Sequence, residues 1–401
     1  MTRRTSLVLD NDDPSDERRA ELRARFPTDP SFQRAIDLKF DRRAGREWTG
    51  VGLDTMTAAV RRLVVDECGT EATVTGARWL TGGASKIQMA FTLVLLNEEP
   101  RGLLVRMDPA ETLNATIKTV ERDLLDAIGG AIAAPQVLWV DQDARYFPEP
   151  ALVCSMIPGV TKPTDTGTGQ VTGLGTNFGG RLRATLAPQF VDNLAILHGL
   201  PADGMGTPAL TVPEVGTTQN ALWRMNFERQ LWELDRAEEC PLMDLAALWM
   251  ENNLPVLDRV SVVHGDYRSG NFLFDEDSGR ILGVLDWESG HLGDRHADLA
   301  YTTQPLYGHL AEDGRTLLAG GLLPVEQLFE RYEEASGLSV DRDRLRWYSV
   351  LASYSAIVKT LATAMRVARL GRSHQDPLLA RLEGTVPTLL RQLTHQLEEA
   401  L

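Results

Sequence analysis

The 401-residue sequence has only three cysteines, Cys68, Cys154 and Cys240, and they are widely spaced. They form neither a disulfide framework nor a metal motif. Such sparse use suits a reducing, cytoplasmic compartment. No apolar stretch approaches the length needed to cross a bilayer, so no membrane partner is expected. The first residues, MTRRTSLVLDNDD, turn acidic before any adequate apolar core, which argues against a signal peptide. Positive charge is also short: 41 Lys and Arg against 56 Asp and Glu leave a net charge of −15. Beyond short patches such as Arg181 to Ala184 there is no basic stripe, so no nucleic-acid partner is expected. The G-x-x-x-x-G-K-[ST] pattern is absent, which excludes a P-loop NTPase. No internal repeat is present.

Against these absences, 43% hydrophobic and 24% charged residues describe an ordinary globular protein. The informative stretch is HGDYRSGNFLFDEDSGRILGVLDWE, His264 to Glu288. Asp266 and Asn271 are five apart, as in the H-R-D-x-x-x-x-N loop of phosphoryl-transfer enzymes. Asp286 follows one hairpin later. That chemistry needs a carboxylate beside an alcohol to accept its proton. It also needs an amide and a second carboxylate to hold Mg²⁺ against the phosphates of ATP, and oxygen ligands suit that hard cation. The local pattern agrees. Val260 to Val263 reads as a short strand and Phe272 to Phe274 as another. Asp275 to Gly279 is a turn, and Ile281 to Leu285 is the returning strand. Such a hairpin places Asn271 close to Asp286.

This stretch resembles the aminoglycoside phosphotransferase family, small-molecule kinases that share the protein-kinase-like fold. The family's H-G-D-x-x-x-x-N and D-W-E are met as HGDYRSGN and DWE. GHLGDRHADLAY, Gly290 to Tyr301, resembles its G-D-P-x-x-D-L-A, with Arg295 in place of Pro. The resemblance implies an α+β, two-lobed protein-kinase-like fold, with a small β-rich N-terminal lobe and a larger, mainly helical C-terminal lobe. The expected division is an extension of unknown role over 1–55, a nucleotide-binding lobe over 56–157, and a helical catalytic lobe over 158–401. The extension is charged and irregular, with a short helix from about Pro14 to Phe26. It packs on the body or on a partner subunit, which would make a homodimer.

In the small lobe, the turn Gly82-Gly83-Ala84-Ser85 lies between two strands. Glycines there let backbone N–H groups approach phosphate, and Gly82, Gly83 and Ser85 meet the family's G-G-x-S. Arg106 ends the next strand, where protein kinases carry a phosphate-holding lysine. Relatives with L-R-x-x-P assign it to the phosphates, with Lys118 and Lys86 as alternatives. Its partner carboxylate is expected at Glu121 on a helix from about Leu113 to Ile128, with Asp123 as the alternative. The strand ending at Pro158-Gly159 resembles the family's hinge. By that analogy Ser155 and Ile157 offer backbone groups to adenine, and Cys154 lines the pocket as a small core residue.

Arg268 is expected to face the γ-phosphate, His264 to orient the loop and Asp298 to anchor it. His198, on an amphipathic helix over Phe190 to Leu200, reads as structural. The Gly/Thr-rich stretch Thr161 to Gly180 reads as a lid or a solvated insert. Trp223 and Trp232, nine apart, read as a stacking wall or as core. The expected function is therefore ATP- and Mg²⁺-dependent transfer of the γ-phosphate to a hydroxyl of a small molecule. Acidity weakly favours a cationic acceptor such as an aminoglycoside. The wording R-M-D-P and L-D-W-E resembles the branch that includes kinase domains acting on hydroxyacyl-CoA. A protein kinase is disfavoured by HGD in place of HRD and by the lack of an A-P-E segment. A non-catalytic nucleotide-binding module is disfavoured by the presence of Asp266, Asn271 and Asp286 together.

Overall fold

A computed structural model of the chain describes residues 14–43, 49–80, 85–164, 173–206 and 209–400. The chain enters through two helices, α1 (Asp16–Arg25) and α2 (Pro30–Asp41). Ser15 caps α1, with acidic residues in its first turn and arginines in its last, both favourable to the helix dipole. Asp29 caps α2, and Pro30 sits where its missing N–H costs nothing. The sequence marks only the first of these helices. Their apolar faces (Leu22, Phe26, Ile36 and Phe40) join a core with Met225, Leu231, Trp232 and Trp347 of the helical lobe. The extension thus packs on the body of its own chain, and this face needs no partner subunit.

Helix α3 (Leu53–Cys68) lies on a five-stranded antiparallel sheet. Its strands are β1 (Ala72–Trp79), β2 (Ile87–Leu95), β3 (Arg101–Met107), β4 (Val137–Asp141) and β5 (Ala151–Ser155), in the order β1-β2-β3-β5-β4. Val60, Leu63 and Val64 of α3 pack on Val74, Met89, Phe91 and Leu93. Between β3 and β4 runs α4 (Lys118–Ile128). It starts five residues later than the periodicity suggests. The preceding polar residues bond elsewhere instead: Thr112 to the Asn114 carbonyl, and Asn114 to Glu288. Such side-chain bonds compete with helix formation. Leu124 and Leu125 of α4 enter the core of the large lobe, which couples the helix to both halves.

The large lobe contains α5 (Gly179–Gly199), α6 (Gln219–Asp235) and α7 (Pro241–Asn252), then β6 (Ser261–Val263), β7 (Phe272–Asp275), β8 (Arg280–Val284) and β9 (His291–Gly293). Helix α8 (His296–Thr302), a small sheet of β10 (His309–Leu310), β11 (Leu317–Ala319) and β12 (Leu323–Pro324), and α9 (Val325–Ser336) follow. A long helix, α10 (Arg342–Ile357), passes through a π-helical stretch (Val358–Ala364) into α11 (Met365–Arg369) before α12 (Asp376–Leu382) and α13 (Val386–Glu398). The β7–β8 hairpin forms as its pattern indicates. Asp275 accepts from the Ser278 amide at 2.8 Å, and its carbonyl accepts from the Gly279 amide at 2.8 Å. No helix among the described residues is long and apolar enough to cross a membrane.

Trp223 and Trp232 do not share a face. Nine residues at 3.6 per turn leave them about 180° apart. Trp232 is buried in the core, and Trp223 is only partly buried.

Candidate active site

Strand β6 carries the chain into His264, and the loop that follows is fixed by one buried carboxylate. Asp298, at the start of α8, accepts the His264 amide at 2.7 Å, the Gly265 amide at 2.8 Å and His198 Nε2 at 3.2 Å. Burial opposes its charge, yet His198 and His264 bring its pKa below the ordinary carboxylate value. Gly265 has φ +77°, and an added Cβ would lie 2.4 Å from the Ser289 carbonyl, so only glycine fits this turn. The His264 ring accepts the Asp266 amide at Nδ1 (3.2 Å) and donates from Nε2 to the Leu285 carbonyl (2.8 Å). It therefore ties the loop to the end of the hairpin.

Asp266 stands partly exposed, with 22% of its side chain accessible. Arg268 Nε donates to it at 3.0 Å. Burial disfavours the Arg268 charge, but Asp266 together with Tyr301, Tyr307 and Asp286 outweighs it and raises its pKa. The Arg268 guanidinium also lies against Gly173, whose Cβ would meet its Nη1 at 2.1 Å. The far end of the Gly/Thr-rich stretch thus reaches the loop, while residues 165–172 lie outside the described residues. Asn271 Nδ2 donates to the Asp266 carbonyl at 2.8 Å, and the Asn271 carbonyl accepts from the Leu285 amide at 2.7 Å. These bonds leave Asn271 Oδ1 uncommitted and bring Asp266, Asn271 and Asp286 to one place.

Asp286 has φ +62°, a left-handed conformation that is uncommon for a residue with a side chain and marks functional sites. Its carboxylate is 35% exposed and accepts Arg106 Nη2 at 2.5 Å. Arg106 Nη1 pairs with Glu121 of α4. The strand-end arginine and the helix glutamate therefore meet, and the arginine reaches on to Asp286. Asp123 is instead engaged by Arg122. Burial raises the Asp286 pKa; Arg106 opposes this, and the neighbouring carboxylates of Glu288 and Asp266 add to it.

Lys86 and Lys118, the alternatives to Arg106, serve a second buried network that sequence reasoning missed. Lys86 Nζ lies 2.8 Å from Asp108 and 2.8 Å from Glu288, and Lys118 Nζ lies 2.6 Å from Asp108. Glu288 also accepts from Asn114 at 2.8 Å. Burial alone would raise the Glu288 carboxyl, but Lys86 and Arg106 pull it down to about 2. The available signal was the DWE glutamate itself, two residues after Asp286.

At the hinge, the Ser155 amide already donates to the Gln136 carbonyl at 2.8 Å, and the Met156 amide to Gly102 at 3.0 Å. The Ile157 amide has no partner among the described residues, so it is the N–H free to meet a base. Ser155 can contribute only its carbonyl. Cys154 is buried, and burial pushes its thiol up to about 12, as suits a small core residue. Gly82 and Gly83 lie outside the described residues, and Ser85 is the first described residue after them. Among the described residues no three His, Cys, Asp or Glu side chains form a metal cluster. An Mg²⁺ held by one carboxylate, one amide and substrate phosphates needs none. Tyr301 and Tyr307 share a hydroxyl–hydroxyl bond of 2.7 Å, and Tyr301 bonds Asp266. Neither was foreseen.

Two lobes, a strand-end cation paired with a helix glutamate, and an H-G-D loop facing a hairpin aspartate define a protein-kinase-like phosphotransferase. The sequence pattern of the phosphotransferase enzyme family matches residues 89–348, and the chain belongs to that family. Its solved neighbours include a candidate aminoglycoside phosphotransferase of Ralstonia eutropha JMP134, with TM-score 0.60 and 18% identity over 85% of this chain and 98% of that one. They also include APH(2")-IIIa in complex with GDP and kanamycin, with TM-score 0.51 and 15% identity over 87% of this chain and 100% of that one. At such identities the likeness speaks for the fold alone.

Among curated relatives, acyl-CoA dehydrogenase family member 10 of Mus musculus is 26% identical over 215 residues, 52% of this chain and 18% of the relative. Family member 11 of Gallus gallus is 28% identical over 173 residues, 41% of this chain and 22% of the relative. The chain thus spans about a fifth of the length of the curated relatives it matches.

Proposed function

We propose that this chain transfers the γ-phosphoryl group of ATP to a hydroxyl of a small molecule. The observation that carries the proposal is the convergence of Asp266, Asn271 and Asp286 through two short hydrogen bonds at the hairpin base. Asp266 takes the proton of the acceptor hydroxyl as its oxygen bonds to the γ-phosphorus and the bond to the ADP oxygen breaks. Asn271 Oδ1 and the Asp286 carboxylate would hold Mg²⁺, which neutralises phosphate charge. Arg106, set by Glu121, turns a permanent charge toward the phosphates, and Arg268 does so beside Asp266. By the family resemblance Gly82, Gly83 and Ser85 would serve the phosphates, and the Ile157 amide and Ser155 carbonyl would receive the base. The protein's work is alignment and charge stabilisation.

The acceptor is a small hydroxylated molecule, an aminoglycoside and a hydroxyacyl-CoA thioester being the two classes first tested. A peptide acceptor fits less well. Asp286 leads through one turn and β9 straight into α8 at His296, leaving no long segment on which a peptide could dock. The test is ADP release from MgATP with a panel of hydroxylated acceptors. Asp266→Ala should lower the acceptor-stimulated rate by about 10²- to 10⁴-fold while MgATP binding heats persist. Unchanged turnover in that variant would sink the assignment.

A further inference from the structure

Beside the catalytic loop, a cavity of about 70 Å³ opens between α2, α6, β9 and the long helix α10. Gly265 and Tyr301 are among its lining residues, and Tyr301 bonds Asp266. Arg224 dominates its wall. The guanidinium lies 4.6 Å from the Phe32 ring centre and 5.3 Å from that of Phe227. It makes no hydrogen bond among the described residues; Glu228 is 3.9 Å away, and the more distant carboxylates of Asp29 and Asp298 also act on its charge. The side chain is only 16% exposed. A guanidinium has five donors, and burying them without acceptors is costly.

The surrounding polar groups are equally unfinished. His291 donates from Nδ1 to the Ser289 carbonyl at 3.0 Å, and its buried Nε2 has no partner. Burial, and then Arg224, push this imidazole down to about 3, so it is uncharged at neutral pH and offers a lone pair. Glu228 Oε1 accepts from Ser355 at 2.8 Å, while its buried Oε2 has no partner. Lys359, from the π-helical stretch, also faces the cavity and has no partner among the described residues. Glu288 is already answered by Lys86. Arg224 and Lys359 therefore present cationic donors without acceptors among the described residues.

We infer that the cavity receives a small acid group of the acceptor, so that the phosphorylated molecule is a hydroxylated carboxylic acid. The inference rests on the phosphotransferase reading above and narrows its substrate class. The carboxylate sits on Arg224 and Lys359 and supplies the acceptors their donors lack. A further hydroxyl or N–H of the same molecule donates to His291 Nε2 or Glu228 Oε2. The cavity has room for a small acid group. A polycationic acceptor would set like charge against Arg224 and Lys359, which is unfavourable where water is scarce.

The test compares 3-hydroxybutanoate, 4-hydroxybutanoate and 4-hydroxypentanoate with their neutral amides, a 4-hydroxyacyl-CoA thioester and kanamycin. Calorimetric binding and MgATP-dependent ADP release are measured on the full chain. Acids should bind and turn over about 10- to 100-fold better than their amides, the range of one buried charge-assisted bond. Arg224→Met, which keeps the stem that packs on Phe32, should erase that preference. Arg224→Lys should restore part of it, because charge returns without the planar fork. Retained MgATP binding reports an intact fold, and Phe32→Leu provides a milder second variant that should weaken acid binding alone.

Equal binding of acids and amides would overturn the inference. So would turnover of kanamycin or the thioester without Arg224 dependence, which would leave the phosphotransferase reading standing. Arg224-dependent acid binding with no ADP release would support the cavity's role and refute the reaction.

Discussion

Asp298→Asn offers the sharpest test of how the catalytic loop is held. The carboxylate is fully buried and accepts two backbone amides, from His264 and Gly265, besides the His198 ring. An asparagine has nearly the same shape but one acceptor oxygen. In the carboxylate, Oδ1 accepts the Gly265 amide, and Oδ2 accepts both the His264 amide and His198, so the NH₂ faces a loop amide in either orientation. Facing an amide, it forfeits a charge-assisted bond of about 1.5–3 kcal/mol and leaves a buried donor unsatisfied at about 1–3 kcal/mol. The two losses overlap, so about 3 kcal/mol is expected. At roughly 2 °C per kcal/mol for a chain of this size, the melting temperature should fall by roughly 6 °C. Function should suffer further, because the lost amide flanks the turn that aims Asp266. A displacement near 1 Å costs about 10²-fold in rate. Melting by fluorescence and kcat at saturating MgATP read the two effects separately. A variant that melts and turns over like the wild type would refute the view that Asp298 sets this loop.

Asp286→Ala should weaken MgATP binding by at least about 10-fold in calorimetry, since even outer partners of metal ligands cost that much; unaltered heats would remove it from the metal site. Gly265→Ala places a side chain at φ +77° and 2.4 Å from the Ser289 carbonyl, so kcat should fall more than MgATP affinity, and wild-type kcat would show that the turn relaxes freely. Asp108 carries a pH prediction. Burial opposes its charge, but Lys118, Lys86 and Arg42 depress its pKa far below the unfolded value near 3.9. Its contribution is therefore fully present above that value and is lost as pH falls below about 4 toward the folded pKa. Asp108→Asn should be less stable at pH 7, and its stability should decline with acid by about 1.4 kcal/mol per pH unit less steeply below pH 4. Parallel acid limbs in wild type and variant, followed by melting, would contradict the ion network.

What the sequence discloses well is whatever lies within one short window. The loop from His264 to Asn271, the turn at Asp275 and the return to Asp286 are contiguous, and each bond among them spans a few residues or one hairpin. The pairing of Arg106 with Glu121 was accessible because they end one element and begin the next. The Lys86–Asp108–Glu288 network was hidden because it joins three segments, the last nearly 200 residues beyond the others, and each contributes a single charge. Helix α2 was hidden for another reason. Its mean character is mixed, and Lys39 interrupts the apolar face because its charge is buried against Asp235. Ser155 shows the reverse: its position in the hinge was legible, but the commitment of its amide to Gln136 is a fact of sheet pairing.

That interrupted face explains why the chain carries α1 and α2 at all. Phe32, Ile36, Lys39 and Arg43 recur every three to four residues and so share one side of the chain. At its far end, Lys39 and Arg43 pair with Asp235 of α6, and Arg43 also approaches Glu111, which Arg366 of α11 engages. All of these side chains are buried. Burial, then Arg43 and Arg366, hold the Lys39 pKa well below its ordinary value. Such a cluster is a poor source of net stability, because desolvation consumes much of what attraction returns. Its geometric demand is strict, since a slip of one residue would strand several buried charges. The slip is thereby forbidden, and the near end of α2 is fixed two turns away. There Phe32 meets both Arg224 and His291. A greasier α2 would hold as tightly but could slide along α6. The charged version fixes the depth at which an aromatic ring enters the acceptor cavity, which makes the N-terminal segment part of the site.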